Sequence, residues 1–341
     1  MKNRIVYFHP KNDYTGSTRV LANILESKKT NNRIFVVTDN SEDGFLSSLD
    51  NVKILPIIIK GPHSLDSLTW RLSLIFWSLY CLFMFDTFYI NTIQPYYAAL
   101  IGSIFKKKII YHVHEKYRVS THTTRIAEKV FNSIKCTKIF VSNYVKQQYP
   151  CNEDDTTLIR YNKLSNNFLN KVHINPIDNR KRRNILMISS LTKAKGVDVF
   201  VEIAELMPEF HFKLILSTSQ EKINEFFNYP LPHNISIFPK QSDVSSFLYE
   251  TDLLLNLSNP SLWIETFGMT ILEAMAFQIP AIVPNVGGPL ELVDNGINGF
   301  TIDVTDRNLI CTTIRKSLEE DTYRKLCNGT VLKYNALVNH E

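Results

Sequence analysis

Cysteine is scarce and unpatterned in this chain. The five cysteines, Cys81, Cys136, Cys151, Cys311 and Cys327, are odd in number and none forms a Cys-x-x-Cys pair. Neither a disulfide framework nor a zinc ribbon is indicated, and a reducing cytosol suits the set best. No Gly-x-Gly-x-x-Gly run follows the first apolar stretch, which argues against a nicotinamide-dependent dehydrogenase. An internal repeat of solenoid period is also missing. The start, Met1-Lys-Asn-Arg-Ile-Val-Tyr-Phe, enters a strand at once without a signal-peptide apolar region, so a cytoplasmic location is expected.

What is present describes a soluble globular protein. Of its 341 residues, 44% are hydrophobic and 21% charged, enough chain for two domains of ordinary size. Charge is unevenly spread: residues 1–165 hold 22 Lys and Arg against 13 Asp and Glu, whereas residues 166–341 hold 16 against 20. A basic first half suits an anionic partner, whether a lipid surface, a phosphate-bearing acceptor or nucleic acid. A solvated surface with excess lysine explains it equally well, and a nucleic-acid role rests on net charge alone.

Short apolar runs alternate with helical stretches. Arg4–His9, Arg33–Thr38, Val52–Ile59, Thr87–Asn91, Lys108–Val113 and Ile139–Ser142 read as strands, with Ser17 or Thr18 capping a helix over Arg19–Lys28. A second series has strands at Ile185–Ser189, Phe212–Ser217, Ile235–Phe238, Leu253–Leu257 and Ala281–Pro284. This alternation predicts α/β architecture built from βαβ units on parallel sheets. The expected organisation is a Rossmann-like domain over 1–165, a polar linker over 166–183, and a second Rossmann-like domain over 184–320. A helix over 321–341 is expected to pack back on the first domain. The basic quartet that closes the linker, Arg180-Lys-Arg-Arg183, reads as a solvated cluster. Two such domains imply a ligand cleft between them.

Leu68–Phe85 is a long apolar segment with Arg71 near its start and Asp86 just beyond it. A spanning helix needs about 20 predominantly apolar residues. A buried helix of the first domain is the leading reading. A helix lying on a bilayer surface, which Trp70, Trp77 and Tyr80 would favour, is the second, and a transmembrane span the third.

The chemistry concentrates around Glu265 and Glu273, which frame Glu265-Thr-Phe-Gly-Met-Thr-Ile-Leu-Glu273. Two acids around a Gly-containing helix N-terminus, at the carboxyl end of a strand, can bind an anion through the backbone and sugar hydroxyls through the carboxylates. Taken alone, such acids are ordinary helix N-terminal residues. Lys195 follows a strand and loop, where an ammonium can reach a diphosphate. A departing nucleoside diphosphate leaves charge on its β-phosphate that needs a cation, helix amides or a metal.

These motifs carry a resemblance. Ile185-Leu-Met-Ile-Ser-Ser-Leu-Thr-Lys-Ala-Lys195-Gly196-Val-Asp198, the Glu265–Glu273 run and Gly287-Gly288-Pro-Leu-Glu291 to Phe300 together resemble the retaining nucleotide-sugar glycosyltransferases of family 4. The first half is similar more loosely, through the Gly16 loop, Tyr89-Ile-Asn-Thr92, Tyr111-His-Val-His-Glu115 and Val141-Ser-Asn-Tyr-Val-Lys146. The resemblance implies the GT-B fold, two Rossmann-like domains facing each other across a cleft. It implies that Lys195 steadies the donor diphosphate, and that Glu265 holds the donor sugar near its anomeric carbon. Phe267 and Gly268 would offer backbone amides to the donor, Met269 would also line the donor site, and Glu273 would accept from the ribose hydroxyls. His114 would contact the donor sugar across the cleft, and Gly16 would let amides near a phosphate or acceptor, with Arg19 a weaker candidate for the same anion. The sequence departs from the family at Ser190, where an arginine usually partners the lysine, and at Thr15, where a second glycine usually stands. Base recognition is expected near Lys240–Val244. His112, two residues before His114, raises a metal reading, but no third ligand is evident, so no metal is expected.

The implied reaction is retaining and metal-independent, needs no cofactor because the nucleotide sugar is a substrate, and uses front-face attack in which the leaving phosphate takes the proton. The expected function is extension of a saccharide acceptor, lipid-linked, in surface polysaccharide biosynthesis of O-antigen or capsule type. The enzyme would work in the cytoplasm at the inner face of the plasma membrane, in peripheral contact with anionic lipid. The competing reading is a non-catalytic sugar-nucleotide-binding subunit of a transferase complex, motivated by Ser190 and Thr15.

Overall fold

The computed structural model describes residues 4–28, 33–41, 44–58, 68–115, 122–174 and 182–339. The chain divides into two compact units, Met1–Ser165 and Asn166–Glu341. The expected linker residues Pro176, Arg180 and Lys181 lie outside the described residues.

The first unit runs β1 (Ile5–Phe8), α1 (Gly16–Glu26), β2 (Ile34–Asp39), β3 (Val52–Ile57), α2 (Leu68–Leu82), β4 (Thr87–Asn91), α3 (Tyr96–Ile104), β5 (Lys108–Val113), α4 (His122–Ser133), β6 (Thr137–Phe140), α5 (Asn143–Gln147) and β7 (Thr156–Ile159). Its strands form one sheet in the order β3-β2-β1-β4-β5-β6-β7, and every pairing is parallel. Helices cover both faces of such a sheet, so its central strands lose the alternation of a half-exposed strand. β4, Thr87-Phe-Tyr-Ile-Asn91, is buried at every position.

The second unit runs α6 (Asn166–Leu169), β8 (Asn184–Ser189), α7 (Val197–Leu206), β9 (His211–Leu216), α8 (Gln220–Phe226), β10 (Ile235–Phe238), α9 (Ser245–Tyr249), β11 (Leu253–Leu255), α10 (Met269–Ala276), β12 (Ala281–Pro284), α11 (Pro289–Leu292), β13 (Gly299–Ile302), α12 (Arg307–Ser317) and α13 (Glu320–Asn339). The sheet order is β10-β9-β8-β11-β12-β13, again parallel throughout. Phe200, Phe212, Leu214, Leu255 and Ile282 are among the fully buried residues of its core.

Each sheet reverses its strand order once, between β1 and β4 in the first unit and between β8 and β11 in the second. Loops leaving the carboxyl ends of those strands diverge to opposite faces and leave a crevice, where open α/β sheets bind ligands.

Local differences from the sequence reading have local causes. Ser142 does not end a strand: β6 stops at Phe140 and the Ser142 hydroxyl caps α5 by accepting from the Val145 N–H at 3.1 Å. Neither Ser17 nor Thr18 caps α1, which begins at Gly16 with Thr15 at the cap position; the Thr18 hydroxyl is engaged by buried polar groups instead. Inside the expected linker, Asn166–Leu169 is helical and Phe168 is buried against Phe277, ring centres 6.0 Å apart. α13 packs against α10 and α12 of its own unit.

Candidate functional site

In the second unit the crevice is built from the loops after β8 and β11. Ser190 opens the first loop, its carbonyl accepting from the Thr192 N–H at 2.9 Å and the Ser189 hydroxyl at 3.1 Å. The loop ends in a turn over Lys193–Lys195 and then Gly196, whose φ of +73° is left-handed. A Cβ at Gly196 would stand 2.2 Å from the Leu257 carbonyl oxygen. Only glycine meets both conditions, so Gly196 seats the lysine loop directly on the chain leaving β11. The Asn259 N–H donates to the Ala194 carbonyl at 2.9 Å and ties the two loops together.

That seating brings Lys195 to Glu265. The ammonium lies 2.5 Å from the Glu265 carboxylate, with both side chains about four-fifths buried, at 20% and 21% exposure. The ammonium also lies 4.9 Å from the centre of the Trp263 ring. Glu265 is fixed from below by Gly287 and Gly288. The Gly288 N–H donates to the Glu265 carbonyl at 2.8 Å. A Cβ at Gly287 would stand 2.5 Å from that same oxygen, and one at Gly288 would stand 2.1 Å from the Thr266 carbonyl oxygen. The glycine pair therefore lets a second backbone run in contact beneath the Glu265–Thr266 peptide.

Phe267 is buried, and Gly268, with φ +107°, turns the chain into α10. The left-handed turn is what calls for glycine here, since a Cβ would meet only the end of the Ile271 side chain, Cδ1 at 2.6 Å. Met269 is the first residue of α10 and half-buried, and Glu273 sits one turn on, wholly buried. At the end of β10, the Lys240 N–H donates to the Thr218 carbonyl at 2.9 Å, and Asp243 accepts from the Lys171 ammonium at 3.0 Å.

In the first unit the crevice holds a buried polar chain. His114 follows β5 and its Nε2–H donates to Asn91 Oδ1 at 2.8 Å. The Asn91 amide N–H donates to His9 Nδ1 at 2.9 Å, and to the Ser17 carbonyl at 3.2 Å. An amide nitrogen only donates, so His9 carries its proton on Nε2, which donates to the Thr18 hydroxyl at 2.9 Å; Thr18 in turn donates to Asp13 at 2.8 Å. His112 meets the Tyr89 hydroxyl at 2.9 Å, and its ring centre lies 4.2 Å from that of His114. Burial pushes His9 down to about 4 and His112 to about 3. Burial, then the neighbouring His112 and His9, hold His114 well below its usual range. All three are neutral at pH 7, so His114 offers an accepting Nδ1 rather than a proton. Among the described residues no group of three or more His, Cys, Asp and Glu could hold a metal ion. At Gly16 a Cβ would meet nothing within 4 Å. The protein itself leaves that position open, at the amino end of α1. Arg19 lies over the Phe45 ring, 5.5 Å from its centre.

Of the predicted residues, Lys195 and Glu265 meet directly, and Phe267, Gly268, Met269 and Glu273 follow along one short stretch. Gly16 and His114 belong to the first unit. The sequence reading missed Trp263, and it missed His9, Asn91 and Thr18. Trp263 stands two residues before Glu265, a signal that was available; the others are separated by up to 105 residues from the group they orient.

Residues 172–330 match the family profile described as glycosyl transferases group 1. The match covers most of the second unit. The chain is 29% identical over 148 residues to N-acetyl-alpha-D-glucosaminyl L-malate synthase of Bacillus anthracis, across 42% of this chain and 38% of that protein. It is 28% identical over 193 residues to an uncharacterized glycosyltransferase of Methanocaldococcus jannaschii, across 55% of this chain and 51% of that one. The matches therefore span about half or less of these curated relatives. The fold likeness is wider. The crystal structure of Anabaena HepE in complex with UDP-glucose superposes with a TM-score of 0.79 at 18% identity, covering 98% of this chain and 96% of HepE. The fold is GT-B.

Proposed function

We propose that this chain is a retaining glycosyltransferase that moves a sugar from a nucleotide-sugar donor to a lipid-linked saccharide acceptor in surface polysaccharide biosynthesis. The observation that carries the reading is the Lys195–Glu265 pair, held at 2.5 Å on glycine-seated loops at the strand-order reversal. Lys195 meets the charge that builds on the β-phosphate as the donor breaks. Glu265 holds the sugar hydroxyls, Glu273 the ribose, and the amides at Phe267, Gly268 and Met269 the rest of the donor. In the first unit, His114 accepts from a sugar hydroxyl through Nδ1, and the open Gly16 turn admits a phosphate or the acceptor. No side-chain base is required if the leaving phosphate accepts the acceptor's proton. Neither metal nor cofactor enters this scheme.

A panel of UDP-, GDP- and dTDP-sugars, begun with UDP-glucose because HepE binds it, tests the reading by thermal shift and then by transfer to lipid-linked saccharide. A donor at 100 times its Kd stabilises by about 2.7 kcal/mol, a rise of several degrees. If no nucleotide sugar shifts the melting point, the reading fails. A second reading, a non-catalytic sugar-nucleotide-binding subunit, draws on Ser190, which leaves Lys195 without the family's arginine. Binding without hydrolysis or transfer by the purified chain would select it.

A further inference from the structure

We propose that the outer face of α2 and α3 is a docking surface for an anionic lipid bilayer. α2 is apolar on two opposite sides. Trp70, Leu74, Cys81 and Leu82 are buried in the first unit. Two positions away, Leu68, Leu72, Phe76, Leu79 and Phe83 recur every three or four residues and are exposed, Phe83 to 87%. That is one continuous stripe down the helix and onto the turn that follows it, and an apolar stripe of this kind marks an interaction surface. Between Ser67 and Phe85 the only charged residue is Arg71. α3 packs alongside α2, and Leu100, Ile104 and Phe105 are exposed at its end.

Lysines follow at once. Lys106 and Lys108 are exposed, and the Lys107 ammonium donates to the Phe85 carbonyl at 2.9 Å, which fastens this run to the chain leaving α2. Phe83, Ile104 and Phe105 thus share a neighbourhood with two exposed lysines. Aromatic and aliphatic side chains beside lysines are what a bilayer interface takes: the former enter the acyl boundary and the latter meet phosphate headgroups. No helix among the described residues is long and apolar enough to cross a membrane, so the face lies on the bilayer. Charge selects the occupant. Headgroup phosphates neutralise the lysines beside the apolar stripe, which an apolar protein surface alone would leave unpaired. The excess of 22 basic over 13 acidic residues in residues 1–165 adds long-range attraction. This inference does not depend on the chemistry proposed for the second unit.

The test is flotation of the full chain with phosphatidylcholine vesicles, with and without phosphatidylglycerol. The chain should float with the anionic vesicles, less so at high salt. The pair Lys106→Gln with Lys108→Gln should weaken that binding about 30-fold. The pair Phe76→Ser with Phe83→Ser should weaken it about tenfold or more. Circular dichroism and urea midpoints check that both variants fold; the altered side chains are exposed. Failure to float at low salt, or flotation that neither pair affects, overturns the proposal. So does a dimer by light scattering that Phe76→Ser with Phe83→Ser dissolves while vesicle binding is absent. A chain that floats but binds no nucleotide sugar overturns only the transfer reading.

Discussion

Glu265→Gln should separate donor binding from transfer. The Lys195 ammonium is engaged by the Glu265 carboxylate at 2.5 Å. A nucleoside diphosphate that uses Lys195 must replace that carboxylate. A hydrogen bond to a charged partner contributes about 1.5–3 kcal/mol and a neutral one about 0.5–1.5. Both side chains are one-fifth exposed, which favours the lower part of each range. Exchanging carboxylate for amide therefore removes about 1–1.5 kcal/mol of competition, and the free nucleoside diphosphate should bind about tenfold tighter. Transfer should fall by about a hundredfold or more, since a donor sugar held out of place beside the breaking bond loses about that much. Titration calorimetry with UDP and GDP reads the first effect and a coupled transfer assay the second. Unchanged or weaker diphosphate binding in Glu265→Gln, with the urea midpoint intact, would refute the argument that the two anions compete for one lysine.

Three further outcomes follow from the geometry. Gly288→Ala drives a Cβ to 2.1 Å from the Thr266 carbonyl and should cost about 1–3 kcal/mol by urea titration, while Gly16→Ala, with nothing within 4 Å, should leave the midpoint unchanged and weaken ligand binding only. His9, His112 and His114 are held below their usual 6.5, so above that pH folded and unfolded chains are equally neutral and the three cost nothing. As pH falls below it, the unfolded histidines take protons that the folded ones refuse. Stability should drop by about 1.4 kcal/mol per histidine between about pH 7.5 and 5.5, and a flat urea midpoint across that window would contradict the buried chain. Lys138 and Asp155 form an ion pair at 2.6 Å with both side chains wholly buried, so Lys138→Met should destabilise by about 3–5 kcal/mol and Asp155→Asn with it should recover part of the loss.

Much of the fold was legible because parallel sheets write themselves as short apolar runs. Thr87–Asn91 is buried on both faces and could be read as a strand without knowing its neighbours. β7 escaped because it is an edge strand whose Thr156, Leu158 and Ile159 are exposed, so no burial pattern marks it. The Glu265–Glu273 stretch was legible because its chemistry is local: acids, a left-handed glycine and a helix start in consecutive residues. The helix Leu68–Leu82 was read correctly as apolar, yet its sequence shows no polar face that says which side is covered.

The sequence alone determined where most strands and helices form, that there are two units, and which short motifs carry the acids and, separately, the lysine. Those depend on periodicity and on residues close in the chain. Tertiary structure decided that Lys195 meets Glu265 across 70 residues, because Gly196 lets its loop rest on Leu257. It decided that His114 is oriented through Asn91 and His9, because β5, β4 and β1 lie side by side only once the strand order is set. It decided which face of α2 remains uncovered. Each depends on distances between residues far apart in sequence, which local pattern cannot encode.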